Sequence, residues 1–180
     1  MRKLIESTLV SVDGVIESPN RWSLFDDEAS QLSLQELDKY DAFVMGRLTY
    51  EFFRTNWAAV TGNPYLDRIS AMPKYVASRT LRDVTWNATL LGPDIVGAIE
   101  QLKAQPGKDL IKYGTSRVDD TLLRAGLIDE LRLWVMPAVV GTGQRLFEDV
   151  DTSSLDLTLT DVRKLANSSV ILTYTPSYAT

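Results

Sequence analysis

Three short stretches of the chain carry the residue types that hold phosphates: Gly46-Arg47-Leu48-Thr49, Ser78-Arg79-Thr80 and Gly114-Thr115-Ser116-Arg117. A glycine lets the backbone approach an anion closely, and Ser and Thr hydroxyls donate hydrogen bonds to it. The guanidinium groups of Arg47 and Arg79 match a phosphate monoester. Where such a stretch opens a helix, free N–H groups and the positive end of the dipole add to the attraction. Each stretch alone is ordinary turn or N-cap sequence. Three of them on one sheet edge suit a dinucleotide with an extra phosphate, because ligands of open α/β sheets bind beyond the carboxyl ends of strands. None is a G-x-G-x-x-G or Walker loop, so a standard Rossmann or P-loop site is not expected.

A second candidate group is Asp26 and Asp27, which follow Trp22 and Phe25. A carboxyl group against aromatic rings has a raised pKa and can deliver a proton near neutrality. The same acids can cap a helix, and the local sequence favours that role. Asp13-Gly14 reads as a turn. Gly141-Thr142-Gly143 reads as a loop between strands whose backbone can hold an anion. Asp129-Glu130 reads as a solvated pair at a strand entrance. Tyr50, Phe52, Phe53 and Trp57 read as core rather than as stacking platforms.

The 180 residues include no cysteine and no histidine. That excludes disulfides, thiolate nucleophiles, zinc sites built on Cys or His, and a Ser-His-Asp triad, and no metal is expected. Proton transfer falls to Asp, Glu, Lys, Tyr or water. Asp and Glu number 24 against 19 Lys and Arg, and the net charge of −5 argues against nucleic acid as a partner. Met1 to Val12 is too short and too polar for a signal peptide or a membrane span, so the cytoplasm is the expected compartment. No repeat or linker-like shift divides the chain, and one domain over residues 1–180 is expected. A chain of this length buries roughly 70% of its unfolded surface without any covalent staple.

The elements that must position these residues follow from periodicity and turn chemistry. Residues 3–12 read as a strand, and residues 13–26 as a loop long enough to act as a lid. Asp26 or Asp27 starts a helix running to about Leu37, with Leu34 and Leu37 on one face. Residues 42–46 form a short buried strand. A helix follows from Arg47, with Tyr50, Phe53 and Trp57 at helical spacing. Residues 58–72 look irregular, 74–78 read as a strand and 84–91 as a weaker one. Gly92-Pro93 opens a helix with Pro at its first position and an apolar stripe of Ile95, Ala98, Ile99 and Leu102. A strand at 109–113 leads through Gly114-Thr115-Ser116 into a helix ending at Gly126. Strands at 129–137, 155–162 and 169–175 complete the chain. This order predicts an α/β fold, with a mostly parallel central sheet and antiparallel C-terminal strands.

Several of these segments resemble the dihydrofolate-reductase-like family. Asp13-Gly14-Val15-Ile16 is similar to the start of its lid, and Gly46-Arg47-Leu48-Thr49-Tyr50-Glu51 to its G-R-x-T-[WY]-E motif. Lys74 to Thr80 resembles the strand whose end meets the adenosine 2′-phosphate of NADPH. Gly107-Lys108-Asp109-Leu110 with Gly114-Thr115-Ser116 resembles the second phosphate-binding segment. Ala125 to Leu133, Pro137, and Gly141-Thr142-Gly143-Gln144-Arg145-Leu146-Phe147 resemble the C-terminal reductase domain of bacterial riboflavin-biosynthesis enzymes.

The resemblance covers nearly the whole chain and implies a dihydrofolate-reductase-like sheet with helices on both faces. It implies NADPH as cofactor. Gly46, Arg47 and Thr49 would hold the pyrophosphate and adenosine side, Ser78, Arg79 and Thr80 the 2′-phosphate, and Gly114, Thr115, Ser116 and Arg117 the pyrophosphate from the other helix. Thr8, Leu9 and Ile16 would border the nicotinamide, and Trp22 and Phe25 the substrate. The implied reaction is hydride transfer to a C=N or C=O carbon of a small substrate, as in 5-amino-6-(5-phosphoribosylamino)uracil reductase. Asp26 or Asp27 would be the proton source, and a homodimer is implied. A pterin reductase and a non-catalytic NADPH-binding protein share the scaffold. Two departures stand out: the second phosphate segment reads G-T-S rather than three glycines, and Trp134 stands where the folate branch has a small hydroxyl residue.

Overall fold

The computed structural model describes residues 1–153 and 155–178. The chain forms β1 (Leu4–Ser11), α1 (Asp27–Glu36), β2 (Tyr40–Gly46), α2 (Arg47–Trp57), α3 (Pro64–Ala71) and β3 (Lys74–Ala77). These are followed by β4 (Ala88–Leu91), α4 (Ile95–Ala104), β5 (Asp109–Tyr113), α5 (Arg117–Arg124), β6 (Glu130–Met136), β7 (Leu155–Lys164) and β8 (Val170–Tyr178). Two compact units divide the chain, Met1–Leu4 with Leu32–Tyr113, and Ile5–Gln31 with the residues from Gly114 onward.

The strands of the first unit lie in the order β4-β3-β2-β5, and every pairing is parallel. Residues Ala42–Gly46 of β2 are all buried, as expected of a strand covered on both faces. An aromatic cluster fills this unit. Phe53 of α2 stacks on Trp57 with ring centroids 3.9 Å apart, and Tyr113 meets Phe43 edge-on at 5.0 Å. Tyr113 shares a hydrogen bond of 3.0 Å with Tyr65, and burial pushes the Tyr65 phenol up to about 12. Tyr50 and Phe53 are core, as the spacing predicts, while Phe52 is 42% exposed.

Lys74 is fully buried at the start of β3. Its ammonium donates to the carbonyls of Ser70 (3.1 Å) and Met72 (2.7 Å) at the end of α3, and lies 4.2 Å from the centroid of the Trp86 ring. A cation there completes a helix C-terminus and faces a π-system.

The second unit orders its strands β1-β6-β8-β7, with β1 parallel to β6 and the two later pairings antiparallel. Val10, Leu131 and Leu133 form one cluster of its core, with Ile16, Leu146 and Phe147 packed against them. Helix α5 stops where Gly126 turns left-handed (φ +63), and the Leu127 and Gly126 N–H groups then reach the carbonyls of Leu122 and Leu123.

Three expectations need correction. Residues 58–72 are not irregular throughout, since α3 occupies Pro64–Ala71. Asn63 caps it by accepting from the Leu66 N–H at 3.1 Å, and Pro64 is its first residue. Helix α4 starts at Ile95 rather than at Pro93, because Asp94 accepts from the Gly97 N–H at 3.0 Å and outcompetes glycine as a cap. The strand expected over 84–91 is confined to Ala88–Leu91, because Trp86 and Asn87 are both left-handed (φ 61° and 52°) and turn the chain just before it. No helix among the described residues is long and apolar enough to cross a membrane.

Candidate functional site

In the first unit, two of the three phosphate-type stretches emerge side by side. Gly46 pairs with Ala77 in the parallel register of β2 and β3, so Arg47–Thr49 and Ser78–Thr80 leave adjacent strands at the same end. Gly46 occupies the N-cap of α2 and offers no side-chain acceptor, which leaves the first-turn N–H groups open to an anion. Arg47 pairs with Glu51 at 3.0 Å, but both side chains are exposed, and a pair of that kind is weak enough for an anion to displace. Thr49 is half-buried, and Arg79 and Thr80 are exposed. The Ser78 hydroxyl accepts from the Thr80 and Leu81 N–H groups at 3.2 and 3.0 Å, which shapes the turn and leaves its own proton for another acceptor.

The third stretch lies in the second unit. The Gly114 N–H donates to the Ser7 carbonyl at 3.1 Å, which brings this stretch to β1 next to Thr8. Gly114 is left-handed (φ +71), and a Cβ there would meet nothing within 4 Å, so the backbone is open on that side. The hydroxyl oxygens of Thr8 and Thr115 are buried and have no hydrogen-bond partner among the described residues. Asp119 accepts from the Ser116 N–H at the start of α5. Arg117 is exposed and lies 3.7 Å from Asp149. Leu9 is half-buried, and Ile16 packs on the Val10 core.

Asp26 is half-buried and caps α1, accepting from the Ala29 N–H at 2.9 Å through one carboxylate oxygen. Asp27 is the first residue of the helix and is exposed. Phe25 lies on Trp134 of β6 with ring centroids 5.8 Å apart and planes 19° apart. The Trp22 indole N–H donates to the Glu17 carbonyl at 2.8 Å, so that residue ties up its own loop. The turn between β7 and β8 grips this segment: the Asn167 amide donates to the Leu24 carbonyl at 3.0 Å, and the Ala166 N–H to the Glu28 carboxylate at 2.7 Å.

The base of the expected lid is anchored. The Asp13 carboxylate accepts from the Ser11 hydroxyl (2.7 Å), the Gly141 N–H (2.7 Å) and the Val140 N–H (3.1 Å). The anion held by the Gly141-Thr142-Gly143 backbone is therefore the chain's own carboxylate. These three donors, that of Ser11 first, hold the Asp13 pKa well below the usual carboxylate range. Arg145 returns the contact by donating to the Asp13 carbonyl, and Glu17 accepts from the Gln144 N–H at 3.0 Å. Sequence reading finds each loop but not their union, because the partners lie more than 120 residues apart. Asn167 and Glu28 carry no sequence signal of their contact either.

Alternating strands and helices, a mostly parallel sheet ending in antiparallel strands, and glycine- or serine-marked strand ends define a dihydrofolate-reductase-like α/β protein. Residues 2–171 match the family model of the RibD C-terminal domain, and the chain belongs to that family. It is 28% identical over 180 residues to uncharacterized protein YyaP of Bacillus subtilis strain 168, covering 96% of this chain and 94% of that one. A solved structure of a putative riboflavin biosynthesis protein from Shewanella sp. PV-4 superposes with a TM-score of 0.75 at 22% identity, over 97% of this chain and 99% of that one. Dihydrofolate reductase from Enterococcus faecalis, solved with NADP(H) and RAB-propyl, superposes with a TM-score of 0.62 at 15% identity, over 97% and 96% of the two chains. The fold is the dihydrofolate-reductase-like one, and the family is that of the RibD C-terminal domain.

Proposed function

We propose that the whole chain, residues 1–180, acts as one NADPH-dependent reductase of the riboflavin-biosynthesis type. The observation that carries the reading is the pair of buried hydroxyls of Thr8 and Thr115, which have no hydrogen-bond partner among the described residues, beside Gly114, where a Cβ would meet no described atom within 4 Å. A buried hydroxyl without a partner costs about 1–3 kcal/mol, and polar groups of a bound nucleotide would satisfy both. The residues therefore fit the cofactor. NADPH, when bound, supplies a hydride to a C=N or C=O carbon.

The protein's part is binding, orientation and proton supply. Gly46, Arg47 and Thr49 receive phosphate at the open N-terminus of α2, and Ser78, Arg79 and Thr80 receive the 2′-phosphate. Gly114, Thr115, Ser116 and Arg117 hold the pyrophosphate, and Thr8, Leu9 and Ile16 border the nicotinamide ring. Asp26 or Asp27, directly or through a water, delivers the proton, and Trp22 and Phe25 face the small-molecule substrate. Trp134 is 4% exposed and bulky where the folate branch is small, which favours 5-amino-6-(5-phosphoribosylamino)uracil over a pterin. The reading implies the cytoplasm. A homodimer is supported by Leu159 and Val162, which are 49% and 55% exposed on β7; light scattering tests it.

The experiment is a titration with NADPH and NADH, followed by tryptophan quenching, and then an assay with the pyrimidine substrate. Saturable binding with a preference for NADPH, then turnover that Asp26→Asn or Asp27→Asn removes, is the expected result. Binding without turnover of any substrate in a broad panel would make the chain a non-catalytic NADPH-binding protein. No binding of either nucleotide would end the reductase reading.

A further inference from the structure

We propose that Asn167, in the turn between β7 and β8, is a positioning residue for the acid-bearing segment Leu24–Glu28; this rests on Asp26 or Asp27 being the proton source. The Asp26 cap fixes that acid to the first turn of α1 only. Three further contacts fix the segment itself: Asn167 to the Leu24 carbonyl, Ala166 to the Glu28 carboxylate, and Phe25 to Trp134. Two of the three come from one turn.

The Asn167 amide has a separate task at each end. Its oxygen accepts from the Ser169 N–H at 3.0 Å and from the Ser169 hydroxyl, inside a turn closed by the Leu165 N–H on the Ser169 carbonyl at 2.9 Å. Its nitrogen points outward and donates to Leu24. One end builds the turn, and the other holds the segment. An acid that slips by about 1 Å loses on the order of a hundredfold in rate, so such a clip matters to chemistry it never touches.

Asn167→Asp separates the two tasks. It keeps the acceptor for Ser169, loses the donor, and sets a carboxylate oxygen against the Leu24 carbonyl. The Ala29 and Ser30 N–H groups, which bond to the Asp26 side chain and carbonyl, report the position of the segment by hydrogen exchange. We expect their exchange to rise about tenfold in Asn167→Asp, with the urea midpoint and NADPH affinity unchanged. With 5-amino-6-(5-phosphoribosylamino)uracil as substrate, kcat should fall about tenfold at constant KM for NADPH. Should Asn167→Asp fail to fold, Asn167→Ser, too short to reach Leu24, is measured in the same way. Unchanged exchange at Ala29 and Ser30 overturns the proposal. So does faster exchange throughout the chain, or faster local exchange with unchanged kcat. A wild-type protein that reduces nothing refutes the reductase reading instead, and the exchange measurement still decides whether Asn167 holds the segment.

Discussion

The ring of Phe25 lies nearly parallel to that of Trp134, 5.8 Å away, so the residue before Asp26 is held against the middle of β6. Trp134 is buried, whereas Phe25 is 44% exposed and keeps an open face. A ring pair of this geometry contributes roughly 0.5–1.5 kcal/mol beyond its buried area. Phe25→Ala should lower the urea midpoint by the equivalent of about 1 kcal/mol at unchanged m, with a red shift of tryptophan emission. A variant matching wild type in both would show that the stack carries no stability.

Arg79 is exposed at the carboxyl end of β3, where an arginine can pair with a phosphate monoester. Arg79→Ala should weaken NADPH about tenfold to a hundredfold, the range of a lost charge-assisted hydrogen bond, and leave NADH nearly unchanged. Parallel fluorescence titrations check this. Equal losses for the two nucleotides would remove Arg79 from the 2′-phosphate site.

Lys74 gives the fold an unusual alkaline response. Burial lowers its pKa to about 8, whereas a lysine in the unfolded chain titrates near 10.4. Between these values the unfolded state binds more protons, so stability rises with pH from about 8 towards 10, by at most about 3 kcal/mol. Above pH 10 the trend reverses. Tyr65 and Tyr178 are pushed up to about 12 by burial, and the stability they contribute, fully present below the unfolded pKa near 10, is lost as the pH rises from there through the folded value. Urea unfolding at pH 7, 8, 9, 10 and 11 should show the maximum, and Lys74→Met should abolish the rise. A wild-type curve flat from pH 8 to 10 contradicts this account.

Asp13 responds at the other end of the scale. Its depressed pKa means that its stabilisation is present above the unfolded value near 3.9 and is lost only as the pH falls through the lower folded value. The bond between the two loops should therefore survive at pH 4. Asp13→Asn removes one acceptor and the charge, and should speed hydrogen exchange of the Val140 and Gly141 amides at neutral pH. Protection equal to wild type would show that the loops hold together without the carboxylate.

Much of this architecture was legible because local rules agreed with one another. The run Ala42–Gly46 is uniformly apolar and is buried as a parallel strand, and α5 ends at the glycine that marks it. The reading faltered where one local signature has two meanings. Asn63-Pro64 is turn chemistry and also a capped helix start, and only the tertiary setting of Ile69, which is fully buried, decides for α3. Pro93 fits the first helical position, but Asp94 captures the cap.

For the candidate site, the glycines, hydroxyls and arginines could be named because phosphate chemistry demands those types. The stack of Phe25 on Trp134, Asn167 and the union of Asp13 with Gly141 could not, because each depends on a neighbour distant in sequence. Asp26 shows both sides. Its capping bond was foreseeable from four consecutive residues, whereas the clip on its flanks comes from a turn some 140 residues further on.

The short bond from Trp22 to the Glu17 carbonyl ties off residues 18–21 as a small closed loop, with Asp13 anchored before it and Phe25 after it. Extra sequence placed there would hang from a fixed pair of posts. An epitope tag or fluorophore-binding peptide inserted between Pro19 and Arg21 would thus be displayed on the surface, and of the contacts around it only the bonds that the Ser18 and Pro19 carbonyls accept within this turn would be given up.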